Sequence, residues 1–149
     1  MFRTALILIR PHHLAMNDTE HRSAMVIADP SGTIVHFNAD AEALFGHPAR
    51  DAVGATLDLI VPAEHQQAHW AGFHRAMRTA HADLEGNPIN LPVVCHDGRI
   101  RVFPGVFGVL RDPYGNAQGA VATYAAAHEG AQPFTPITAP AQQVRPGAG

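Results

Sequence analysis

From Ala24 to Tyr124 the apolar positions follow two rhythms, and the changes between them mark out the elements. Ala24 to Asp29 (AMVIAD) is a short apolar run closed by Pro30-Ser31-Gly32, and Thr33 to Phe37 (TIVHF) alternates like a half-buried strand. Together they predict a β-hairpin. Asn38 then stands where its side chain can accept from the free amides of a first helical turn, and ADAEALF runs as a helix until Gly46 ends it in a left-handed cap. A shorter helical segment, Ala49 to Val53, stops at Gly54. Leu57 to Val61 leads into Pro62, whose fixed φ suits the first turn of a long helix to about Thr79, and the whole histidine-rich stretch from Val61 to Ala82, with His65, His69, His74 and His81, reads as one helix.

The rhythm then returns to strands. Leu91 to Cys95 (LPVVC) meets Arg99 to Leu110 across His96-Asp97-Gly98, an Asp-Gly signal for a tight hairpin. Gln118 to Ala125 follows a second turn, Asp112-Pro113-Tyr114-Gly115. The expected fold class is α+β: a five-stranded antiparallel sheet with helices packed on one face. Three regions follow from this pattern: an N-terminal extension over residues 1–22, a folded domain over 23–126, and a Pro/Ala/Gln/Gly-rich tail over 127–149 that cannot bury enough apolar surface to order itself. Within the extension, the apolar run Ala5 to Ile9 points to a homodimer contact.

Composition narrows the function. At 149 residues with 46% hydrophobic and 15% charged content the chain can bury one core, and a net charge of −3 gives no basic footprint for nucleic acid. A single cysteine, Cys95, excludes an internal disulfide framework and fits a reducing cytoplasm. Met1 to Arg10 is apolar but too short to span a bilayer, so no membrane partner is expected. No nucleophile elbow, phosphate-cradling glycine loop or dinucleotide fingerprint occurs, and the expectation is a protein that is not an enzyme.

The run AMVIADPSGTIVHFNADAEALFGHPARDAVGATLDLIVP resembles the N-terminal half of a PAS domain, with Asp29, Gly32, Ile34, Asn38, Ala41, Leu44, Phe45, Gly46 and Gly54 in register. The later CHDGRI and GAVATYA resemble that fold's last three strands in order, and the resemblance covers residues 23–126. Because a PAS fold is a container with many contents, function must come from the site. Within the family, the long helix resembles that of heme-carrying PAS domains of the FixL type. Aligned without a gap from the Asp97-Gly98 turn, it implies His69 as the proximal ligand of heme b iron and Arg75 as the propionate partner. Apolar walls would come from Leu84, Ile89, Leu91, Val93, Phe103 and Phe107, with Trp70 and Phe73 beside the ligand. The oxygen-sensing relatives carry an arginine where Ile89 stands and a larger apolar residue where Gly105 stands. Pro104 beside it should break the strand ladder and make that wall bulge or open. A pocket without that donor should favour CO or NO over O2.

Competing readings stay open. His74 is the rival iron ligand, with Cys95 as its candidate companion, and His65 with His69 has the i, i+4 spacing of a zinc pair but no third ligand at a diagnostic spacing. Trp70 and Phe73 also read as packing, Cys95 as a small buried hydrophobe, and His12, His13, His21, His47 and His128 as solvated surface or tail residues. Leucine occupies the reactive-cysteine slot of the flavin photosensors, which argues against an adduct of that kind. The expected function is a stand-alone heme-binding sensor of a diatomic gas or of redox state, signalling through dimer or partner-protein contacts. The alternative is a heme-free PAS module for protein interaction or a small metabolite.

Overall fold

The computed structural model describes residues 23–126. In chain order the elements are β1 (Ala24–Ala28), β2 (Ile34–Phe37), α1 (Ala39–Phe45), α2 (Ala49–Ala52), a single 3-10 turn (Leu57–Leu59), α3 (Ala63–Thr79), β3 (Ile89–Val94), β4 (Ile100–Arg111) and β5 (Ala117–Tyr124). The five strands form one antiparallel sheet in the order β2-β1-β5-β4-β3. The α+β expectation is met, and the expected extension, the Ala5 to Ile9 dimer contact and the tail lie outside the described residues.

Asn38 shows how the first half is locked together. Its Oδ1 accepts from Ala41 N and from Met25 N, both at 2.9 Å, while its Nδ2 donates to Ser23 O at 2.9 Å. One side chain thus caps α1 and fixes it to β1, a use of Asn that also satisfies two backbone donors. At the other end of α1, Gly46 adopts φ 81° and donates to Glu42 O, and the chain turns sharply into α2.

The inner face of the sheet buries Ala24, Val26, Ala28, Phe103, Val109 and Tyr124. Phe45 of α1 stands at the centre of this core, with ring centroids 5.1 Å from Phe103, 5.0 Å from Tyr124 and 6.1 Å from Phe37. The pairs with Phe103 and Tyr124 are edge-to-face, and pairs of that kind add roughly 0.5–1.5 kcal/mol each beyond the area they bury.

The sheet edges are closed by loops. Ile34 N donates to Ala55 O at 2.8 Å and Gly54 N to Ile34 O at 2.8 Å, covering β2, while Val94 N donates to Ile60 O at 2.9 Å and ties down β3. Such cover removes unpaired strand groups that would template aggregation.

Three features differ from the sequence reading. The long helix runs from Ala63, with Pro62 as its N-cap, to Thr79 as expected, and Ala80 takes φ 56°, so His81, read as part of one helix over Val61 to Ala82, lies beyond it. The β3–β4 ladder runs through Asn90↔Pro104 and Ile89↔Gly105 with no bulge. The reason is that Pro104 turns its hydrogen-bonding side to the end of β5, where its carbonyl accepts from Ala125 N at 2.8 Å, so the missing N–H removes nothing from the pairing with β3. Finally, Gly105 opens no gap, since a Cβ there would stand 2.8 Å from Leu91 Cδ1 and 2.8 Å from Thr123 O.

Candidate functional site

Helix α3 presents a buried face through Phe73 and Ala76. His69 precedes Phe73 by one helical turn and so lies on the same, buried side of the helix. Its ring lies 6.0 Å from that of Phe73 and 5.3 Å from that of Trp70, and its Nδ1 is buried with no hydrogen-bond partner among the described residues. Burial lowers the His69 pKa below its ordinary value; nearby Asp58 opposes the shift and His74 adds to it. The imidazole is therefore held neutral, the form that can offer a lone pair.

Trp70 occupies the neighbouring face and serves packing. Its ring edge covers Gly32 in the β1–β2 turn, and its Nε1 donates to Asp58 Oδ1 at 2.7 Å. His74 is exposed and stacks on Trp70, with centroids 5.5 Å apart and planes 25° from parallel. Arg75 is exposed and lies about 200° around the helix from Phe73 at 100° per residue, so it is not brought to the face that His69 uses.

The residues expected to wall a ligand fall into two groups. Val93 and Phe103 are buried within the core cluster around Phe45. Leu84, Ile89, Leu91 and Phe107 are half-buried, so apolar surface remains accessible on this part of the sheet and the segment before it. Gly105 is packed under Leu91 and against Tyr124. A flat apolar cofactor such as heme fits this chain in two respects: a neutral inward imidazole with a free buried nitrogen, and an accessible apolar strand surface. It lacks an ordered charge partner from Arg75 as that residue is placed. Among the described residues no three His, Cys, Asp or Glu side chains converge on a common metal position.

Other side chains were not singled out from sequence. His47, expected on the surface, is buried: its Nε2 lies 3.0 Å from Val94 O and its ring meets His96 edge-on at 5.6 Å. The left-handed turn at Gly46 directs the chain back over β3, and nothing in the local His-Pro-Ala sequence signals that. Asp58, Glu85 and Arg111 also escaped notice, because their partners lie 12 or more positions away in sequence. Cys95 is buried, as read from the sequence.

The topology and the α1 to α3 succession find their match in comparison with known proteins. A profile of the PAS fold matches residues 19–129. The chain belongs to the PAS family. As a PAS domain it is 35% identical over 91 residues to an uncharacterized protein of Azorhizobium caulinodans, a match covering 60% of this chain and 12% of that protein. Among solved structures it is similar to the PAS domain of a protein from Colwellia psychrerythraea, with 14% identity, TM-score 0.60, and coverage of 78% of this chain and 97% of that one. A light-oxygen-voltage domain studied with a flavin analogue is similar at 18% identity and TM-score 0.56, covering 78% and 86%. The PAS domain of the quorum-sensing receptor RpfR from Cronobacter turicensis, solved in complex with C12:0, is similar at 17% identity and TM-score 0.52, covering 70% and 92%. Identities this low carry the fold alone. No described helix is long and apolar enough to cross a membrane.

Proposed function

We propose that this PAS sensory domain registers its stimulus through a ligand held against the inward face of α3, with His69 as the polar anchor and heme b as the ligand whose chemistry fits best. The observation that carries the reading is the buried, partnerless Nδ1 of His69. Leaving a buried polar nitrogen unpaired costs about 1–3 kcal/mol, and ligation or a ligand hydrogen bond at this ring would offset that cost. When bound, heme would supply an iron centre able to take a diatomic gas or change redox state. Helix α3 presents the imidazole from a rigid backbone, burial keeps it unprotonated, and Leu91 and Phe107 offer apolar contact that excludes water. Ile89 offers no hydrogen-bond donor, so a heme-bound domain would favour CO or NO over O2. The signal then leaves through changed dimer or partner-protein contacts.

A second reading, a heme-free module for protein interaction or a small metabolite, is favoured by the close packing of Phe45, Phe103 and Tyr124, which fills the part of the interior nearest α1. Reconstitution with hemin separates the two. The first reading expects a Soret band that His69→Ala abolishes or shifts and His74→Ala leaves in place; failure of the wild-type protein to take up hemin would favour the second.

A further inference from the structure

Residues 80–88 link α3 to β3 by crossing beside the half of β4 that β3 does not reach. Strand β3 pairs with β4 only over Ile100 to Gly105, leaving Val106 to Arg111 with a free edge. The linking segment takes the missing partner's place. Gly86 N donates to Phe107 O at 2.9 Å, and Glu85 Oε2 accepts from Val109 N at 2.5 Å, a side-chain carboxylate standing where a strand carbonyl would be.

Arg111 holds this carboxylate in position. Its guanidinium donates to Glu85 Oε1 at 2.5 Å and, through Nε, to Ala80 O at 2.8 Å. Ala80 ends α3 with φ 56°, the single non-glycine residue at positive φ among those described, so the carbonyl that Arg111 grips belongs to a backbone under strain. The segment's other backbone–backbone bonds, Glu85 N to Ala82 O and Asn87 N to Leu84 O, are both 3.1 Å and internal to it, and His81 bonds through its N and O only to the Thr79 hydroxyl at the end of α3. Tethering to β4 is therefore concentrated at Glu85, Gly86 and Arg111.

We infer that residues 80–88 form a strap closed by a Glu85–Arg111 latch, which opens as a unit while the rest of the sheet stays folded. Opening frees the Phe107 carbonyl and the Val109 amide and releases the strained end of α3. The inference concerns the ligand-free protein and does not depend on heme. It gives α3 and β4 two discrete arrangements, the kind of element that an event on α3 can bias.

Amide exchange followed by NMR on the full chain tests it. In wild type, Gly86 and Val109 should exchange through an opening that responds less to denaturant than that of the β1 and β5 amides. In Glu85→Ala and Arg111→Gln the amides of Gly86 and Val109 should exchange about 10- to 100-fold faster, with β1 and β5 protection unchanged. Unchanged exchange at both amides, or an equal loss of protection across the whole sheet, would overturn the latch. If a variant does not fold, the wild-type denaturant series decides alone: exchange of Gly86 and Val109 only by global unfolding rejects the strap.

Discussion

Trp70 lies over Gly32 so closely that a Cβ on the glycine would stand 2.2 Å from two carbons of the indole ring. Gly32 also sits at φ 82°, so the turn needs glycine both for its backbone and for the room it gives the ring. Gly32→Ala should therefore destabilise by about 2–4 kcal/mol, combining a left-handed alanine with an overpacked contact. Urea denaturation measures this, and in a Trp70→Ala background the same change should cost only the backbone part, about 1 kcal/mol. Equal costs in both backgrounds would mean that the ring and the turn are not in contact.

Trp70 is the only tryptophan, so its fluorescence reports the α3 anchor directly. The bond from its Nε1 to Asp58 is exposed, which limits its worth to about 1 kcal/mol. Asp58→Ala should shift the emission maximum and lower stability by about that amount. An unaltered spectrum would show that the bond is not made in solution.

Protonation of His69 should oppose folding. Its folded pKa lies below the ordinary value of 6.5, chiefly because burial disfavours the charged ring. Above that value the ring is neutral in both states and contributes no pH dependence. As pH falls below it the unfolded chain takes up a proton that the folded protein resists, so stability is lost on acidification. His69→Leu should reduce the loss of stability measured between about pH 7.5 and about pH 5.5. A loss identical to wild type would place the His69 ring in solvent.

Cys95 is the only cysteine and is buried at the end of the β3–β4 hairpin. A thiol reagent should label native protein at the rate of global or local opening and label urea-unfolded protein at the rate of a free thiol. Rapid stoichiometric labelling under native conditions would contradict that burial.

The sequence made the scaffold legible wherever structure is locally encoded. Asn38 and Gly46 announced both ends of α1, and Asp97-Gly98 announced the turn between β3 and β4, because caps and tight turns depend on residues a few positions apart. His69 was singled out through the resemblance of the long helix, and the structure sets it one turn before the buried Phe73. The burial of His47, the Trp70 anchor on Asp58 and Gly32, and the Glu85 contact with Val109 were not, because each joins segments brought together only by tertiary packing. Pro104 misled for a related reason: its effect on the ladder depends on which neighbour its backbone faces, and periodicity does not carry that information.

The most direct test of the ligand reading is an absorption spectrum of the protein titrated with hemin. The expected result is a saturable Soret band at one equivalent that His69→Ala abolishes or shifts and His74→Ala retains. A wild-type protein that stays spectrally silent, or a band indifferent to His69→Ala, would contradict it.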